Sequence, residues 1–309
     1  MNKVLVIPLS DPVSVEYLYF SSIAGRTFIE RLCWISKKVG YKDAIVLYDG
    51  NSDGLKKSLV NAPGQVFPSL EKASAGSDSI FVFLKPDIFP TNDFFENLPL
   101  PDKKDTLYLT GENSPVIVIS VSNISKLSQM LRTRSNADSL HKTLSKAYPF
   151  VTFDLDNRKF HTIVDHGDIA LVEKSLYHGL IKETDGFMAR HVNRKISLAI
   201  TGKLVNTSFT PNRMSLISIG IGLAGALLIS FPIISLQVFG ALLFLLHSIT
   251  DGCDGELARL KYMESRWGGL LDYWGDNIVH TAVFLGIGIA WGKATGSMIA
   301  LVVGCRIVS

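Results

Sequence analysis

Between Met214 and Thr250 the chain has no Asp, Glu, Lys or Arg. A run of that length excludes an ordinary soluble domain there, since about 20 apolar residues cross a bilayer. Pro232 divides it into candidate spans at about 213–231 and 234–252. A third apolar stretch runs from Gly269 to Gly292, and a fourth begins near Ser297 and stops at Ser309. Cysteine is scarce. Cys33, Cys253 and Cys305 are isolated, which excludes a disulfide scaffold and a zinc-ligand pattern. No apolar stretch follows a basic start at the N-terminus, so the chain does not open on a signal peptide. The net charge of +3 lacks the basic excess of a nucleic-acid-binding protein, and no nucleic acid is expected as a partner.

Acidic residues are also nearly missing from Lys203 onward. There are six, and all fall between Asp251 and Asp276. The window reads Asp-Gly-Cys-Asp-Gly-Glu-Leu-Ala-Arg and, after eight residues, Gly-Gly-Leu-Leu-Asp-Tyr-Trp-Gly-Asp. Asp251 and Asp254 are spaced i, i+3, and Asp272 and Asp276 i, i+4, so each pair shares one face of a helix. Four carboxylates on two facing helices repel one another and are costly to bury unless a cation holds them. Oxygen-only ligands point to a hard divalent ion, Mg²⁺ or Mn²⁺. Cys253 inside the window is soft and reads as packing. Glu256, Lys261, Glu264 and Arg266 read as solvated helix charges, and His247 and His280 are given no role.

Residues 1–180 have a different texture. Apolar strands are predicted at 3–8, 44–48, 80–84 and 115–121, and helices at 25–39, 123–133 and 136–147. Strands alternating with helices imply an α/β fold with a mainly parallel sheet. Between Lys182 and Arg213 six basic residues face two acidic ones. Residues 181–212 are therefore expected to form a basic linker whose helix lies at the membrane interface. By the positive-inside rule this segment, and Arg259, Lys261 and Arg266 two spans later, place the aspartates on the cytoplasmic side.

The constellation Asp251, Asp254, Gly255, Ala258, Arg259, Gly268, Asp272 and Asp276 resembles the signature of the CDP-alcohol phosphotransferases, without departure. The resemblance implies an all-α polytopic membrane domain over 213–309 that transfers a phosphoalcohol from a CDP-alcohol to an acceptor hydroxyl and releases CMP. It implies two cations on the four aspartates, Asp276 as general base, and Gly255, Ala258, Arg259 and Gly268 around the CDP moiety. Membrane lipids surround such a domain, and a homodimer is expected. The family has six spans, so the chain is read as carrying three and part of a fourth.

Gly25-Arg26-Thr27-Phe28-Ile29-Glu30-Arg31-Leu32, Val39–Val46 and Phe160–Asp165 are similar to segments of sugar-nucleotidyltransferase-type domains. Such a domain carries a glycine-rich triphosphate cradle after its first strand. Here Leu9 to Glu16 contains no glycine, and Asp87 reads as a turn residue. The domain is therefore expected to be a catalytically degenerate cytidylyltransferase. The joined arrangement resembles archaeal and bacterial fusions that use inositol phosphates. An inositol phosphate or other polyol phosphate acceptor and phospholipid synthesis from CDP-diacylglycerol both stay open. So does a divalent-cation transporter, which would use intramembrane aspartates but has no need of Arg259 beside them.

Overall fold

The computed structural model describes residues 2–9, 18–48, 52–73, 79–85, 87–111, 114–132, 137–181 and 193–296. The chain falls into two compact units, Met1–Glu173 and Lys174–Ser309.

A seven-stranded sheet organises the first unit. Its strands are β1 (Asn2–Pro8), β2 (Asp43–Leu47), β3 (Gly64–Phe67), β4 (Ser79–Leu84), β5 (Thr106–Leu109), β6 (Val116–Ser120) and β7 (Phe150–Thr152). They lie in the order β7-β5-β6-β4-β1-β2-β3. Leu5 of β1 pairs in parallel with Ala44 of β2 and Val82 of β4, and β2–β3 and β5–β7 are parallel too. β6 runs antiparallel to both its neighbours, with Val118 opposite Val82 and Tyr108. The reason is connection length. Six residues separate β5 from β6, and a parallel crossover needs a dozen or more.

β4 and β6 are buried at every position, as apolar strands covered on both faces must be. Val4, Val6, Ile45, Phe81, Phe83 and Ile119 form one core with Leu127 of α2 (Ile124–Arg132) and Leu140 and Leu144 of α3 (Ala137–Ala147). The predicted helix at 25–39 is α1, Phe28–Lys38. Thr27 starts it with a capping box: its hydroxyl accepts from the Glu30 amide at 3.3 Å while the Glu30 carboxylate accepts from the Thr27 amide at 2.7 Å. Arg31 is fully buried and donates to the carbonyls of Ile23 and Ala24 at 2.5 and 2.6 Å. Burial, with Glu30 adding to it, pushes the Cys33 thiol up to about 12, so it is not a reactive cysteine. Asp87 lies in the turn after β4. Of the segment from Leu9 to Glu16, all but Leu9 lies outside the described residues, as does the linker from 182 to 192.

The second unit contains α5 (Arg194–Leu204), α6 (Pro211–Ile229), α7 (Ile234–Lys261) and α8 (Arg266–Thr295), and begins within α4 (His166–His178). α6, α7 and α8 are each long and apolar enough to cross a membrane. Pro211 occupies the first turn of α6, where its missing N–H costs nothing. Pro232 falls in the break between α6 and α7. The second predicted span ends at 252, but α7 continues unbroken to Lys261 and carries the first aspartate pair on its last three turns. Residues 297–309, and with them the predicted fourth stretch, lie outside the described residues.

Small residues let these helices touch backbone to backbone. A Cβ on Gly225 of α6 would sit 2.8 Å from the Gly240 carbonyl oxygen of α7, and one on Gly240 would sit 2.7 Å from that of Gly225. Without a hydrophobic drive between helices in lipid, such close packing carries much of their association. Outward-facing Val238, Phe239, Leu242 and Leu245 are exposed and suit contact with lipid chains. Gly240→Leu should therefore lower the thermal midpoint of the detergent-solubilised chain, with a cost of about 1–3 kcal/mol or more. Gly220→Ala, where a Cβ meets nothing within 4 Å, should leave the midpoint unchanged or raise it slightly. Light-scattering or dye-based melts of the two variants make the comparison.

Candidate metal centre

α7 and α8 present their aspartates to one another. Asp251, Asp254 and Asp272 each offer a carboxylate oxygen, and the three oxygens all lie within 4.8 Å of one another. Two features of the helices make this possible. The i, i+3 spacing stacks Asp251 over Asp254 on α7, and Ser265 begins α8 by accepting a hydrogen bond from the Gly268 amide at 3.0 Å. Asp254 is buried, 7% exposed, and Ser215 of α6 donates a hydrogen bond to it. Asp276, one turn further along α8, stands beside Asp251. Its Oδ1 lies 3.6 Å from Nε2 of His247.

The donor set fits a hard divalent cation. Three carboxylate oxygens from two rigid helices converge, and their mutual repulsion needs positive charge. A cavity of about 190 Å³ opens beside them. Asp254 and Asp272 border it, and so do the other four residues of the signature, Gly255, Ala258, Arg259 and Gly268, together with Asn212 and Ser215. Asp251 and Asp276 are not among its lining residues. Nε of Arg259 is buried and has no hydrogen-bond partner among the described residues, so a donor is left available at the cavity. Gly268 is both a helix-start residue and a spacer, for a Cβ there would press to 3.0 Å from the Ser265 hydroxyl and 3.3 Å from the Asn212 amide oxygen. At Gly255 a Cβ would meet only Arg259, at 3.8 Å, so its smallness widens the cavity rather than a helix contact.

Two expected surface charges are buried. Glu256 is 0% exposed. It accepts from Arg194 Nη1 at 3.1 Å, the Ser197 hydroxyl at 2.6 Å and the Thr201 hydroxyl at 2.7 Å, all on α5. Lys261 donates to the carbonyls of Thr207 and Phe209, both at 2.7 Å, and pins the α5–α6 connection to the end of α7. A carboxylate can be buried only with such partners. The available signal was the pair Ser197 and Thr201, spaced i, i+4 on a basic helix, which gives α5 a polar face for α7. Glu264 and Arg266 are exposed, as expected. Cys253 is fully buried against Ser197, as packing. Sequence reasoning also missed Ser215, Ser218 and His247, whose partners lie about 30 to 40 residues away.

Residues 208–309 match the CDP-alcohol phosphatidyltransferase family model. A bifunctional IPC transferase and DIPP synthase from Thermococcus kodakarensis is 35% identical over 153 residues, which cover 48% of this chain and 34% of that protein. One of the same description from Archaeoglobus fulgidus is 37% identical over 136 residues, 43% of this chain and 27% of that protein. A phosphatidylinositol phosphate synthase from Mycobacteroides abscessus is 28% identical over 126 residues, 40% of this chain and 56% of that protein. The chain thus spans about a third or less of the two bifunctional relatives. The solved inositol-1-phosphate CTP transferase from T. maritima overlays 56% of this chain and 94% of its own, at 13% identity and a TM-score of 0.43.

If the convergent carboxylates hold an ion, Asp251→Asn and Asp272→Asn should each weaken Mn²⁺ binding by at least tenfold and leave the protein folded in detergent. Electron paramagnetic resonance titration measures the affinity. Unchanged titration in both variants would rule the site out.

Proposed function

We propose that the chain is an integral-membrane CDP-alcohol phosphotransferase with its centre facing the cytoplasm. The observation that carries this reading is the convergence of Asp251, Asp254 and Asp272 beside a cavity that Asp254, Asp272 and Arg259 line. The match of residues 208–309 to the CDP-alcohol phosphatidyltransferase family model supports the same reaction class. A cation transporter would account for the carboxylates but has no need of the arginine beside them.

When bound, two divalent cations, Mg²⁺ or Mn²⁺, on the four aspartates would neutralise the donor diphosphate and polarise the phosphorus. The chain's own residues do the rest. Arg259 binds a phosphate oxygen through charge-assisted hydrogen bonds from its guanidinium fork. Gly255, Ala258 and Gly268 leave room for the nucleotide against α7 and α8. Asp276 accepts the proton of the acceptor hydroxyl as its oxygen attacks. The new P–O bond forms, the P–O bond to CMP breaks, and CMP leaves with the electron pair.

We infer an inositol phosphate or other polyol phosphate as acceptor, supported by the printed descriptions of the relatives. Phospholipid synthesis from CDP-diacylglycerol is the second reading, favoured by the likeness to the phosphatidylinositol phosphate synthase. A homodimer in the membrane belongs to the same proposal. CMP release by the full chain, with CDP-inositol and CDP-diacylglycerol as donors against inositol 1-phosphate and inositol, tests both readings. No release from any pair would overturn them.

We further propose that the α/β unit does not itself make the CDP-alcohol. The full chain given CTP, Mg²⁺ and inositol 1-phosphate should release no pyrophosphate above background, and steady release would make the protein bifunctional.

Arg259 and Asp276 should separate kinetically. Hydrogen bonds to a charged group contribute ~1.5–3 kcal/mol, so Arg259→Ala should weaken donor binding about tenfold to a hundredfold. Asp276→Asn should keep much of the donor affinity and lose turnover by about 10²–10⁴-fold. Near-normal turnover in Asp276→Asn would assign the proton to another group.

A further inference from the structure

His247 is a polar residue in the middle of an apolar span, and such residues are rare unless they are paired or functional. It is 1% exposed. Its ring is held on all sides. Nδ1 lies 3.0 Å from the Ser218 carbonyl oxygen and 2.8 Å from the Ser218 hydroxyl. The Thr250 hydroxyl braces that serine at 3.3 Å. Phe244 packs 5.9 Å away, centroid to centroid. On the α6 side Gly222 makes the room, since a Cβ there would stand 3.0 Å from the imidazole Cγ and 2.5 Å from Val279.

This mounting selects one nitrogen. The nearer partner of Nδ1 is the Ser218 hydroxyl, and a hydroxyl that donates to Nδ1 leaves the ring hydrogen on Nε2. Nε2 is then the atom turned to Asp276, and it lies 3.6 Å from Oδ1. His247 precedes Asp251 by four residues and shares its face of α7. Asp276 therefore stands between the three-carboxylate group and a fixed imidazole.

We propose that His247 is a positioning residue for Asp276, with Ser218 orienting the ring and the ring orienting the carboxylate that takes the acceptor proton. The inference rests on the phosphotransferase reading for its kinetic consequence, though not for the geometry. Groups that orient a ligand or base from behind typically change affinity or activity 10–100-fold when removed.

Two substitutions separate positioning from mere filling of space. His247→Asn keeps an amide group opposite the Ser218 hydroxyl but has no atom at the Nε2 position. His247→Gln restores an amide group near that position. In the detergent-solubilised full chain, His247→Asn should lower kcat for CMP release by about 10–100-fold with donor KM within about threefold, and His247→Gln should recover most of the loss. The readout that needs no activity is Mn²⁺ affinity in a double-mutant cycle. His247→Asn should change that affinity about tenfold when Asp276 is present and less than about twofold when it is Asn. Equal factors in both backgrounds would overturn the proposal, as would equal damage from Asn and Gln. If the wild-type chain releases no CMP from any donor, the functional reading fails, and the Mn²⁺ cycle alone decides whether His247 positions Asp276.

Discussion

Like-charge repulsion at the end of α7 and α8 is the constraint on which the second unit depends. Three carboxylate oxygens within 4.8 Å of one another would push two free helices apart. Each helix is instead held from behind. Glu256 ties the back of α7 to α5 through three donors, and Lys261 ties its end to the connection before α6. Ser215 holds Asp254 from α6. Gly286 lets α8 approach so near that a Cβ there would lie 2.7 Å from the Ala226 carbonyl oxygen of α6. The polar residues of this domain thus divide by face. On α7, Asp251 and Asp254 look toward Asp272, and Glu256 looks away from it.

That division explains which parts were legible in advance. Charge is so costly in a bilayer that its absence from Met214 to Thr250 marks spans, and its return at Asp251 marks a site. Helical spacing then places each aspartate pair on one face without reference to any other element. The strands at 3–8, 44–48, 80–84 and 115–121 were equally plain, because a strand buried on both faces is an uninterrupted apolar run. What stayed hidden depends on partners far along the chain. β3 and β7 are short edge strands with half-buried or exposed residues, and only pairing to β2 and β5 makes them strands. Glu256 looks like any helix charge until Ser197 and Thr201 are brought against it. His247 looks like a packed ring until Ser218 fixes which nitrogen faces Asp276.

The two units also differ in how they hold polar atoms. In the α/β unit a buried Arg31 is satisfied by carbonyls of a tight turn, with Ala24 and Gly25 at φ 46° and 81°. The helical unit has few free carbonyls, since its backbone is consumed by helix hydrogen bonds. Its polar side chains must find one another, as Glu256 finds Arg194, or reach a loop, as Lys261 does. The Arg259 Nε is the exception at the cavity, and the chemistry proposed for the centre gives it a phosphate.

α7 is a single rod from the apolar span to the aspartates, and this has a mechanical consequence. Gly240 touches α6 backbone to backbone, and Asp251 lies eleven residues beyond it, a lever of about 16 Å at 1.5 Å per residue. Tilting α7 alone by about 5° about that contact would sweep Asp251 by roughly 1.4 Å, enough to spoil the coordination proposed for these carboxylates, since metal–ligand distances are fixed to a few tenths of an ångström. A thicker or thinner bilayer therefore has to be met by leaning the whole bundle as one body. Individual helices are not free to adjust, and the centre keeps its shape while its depth in the membrane changes.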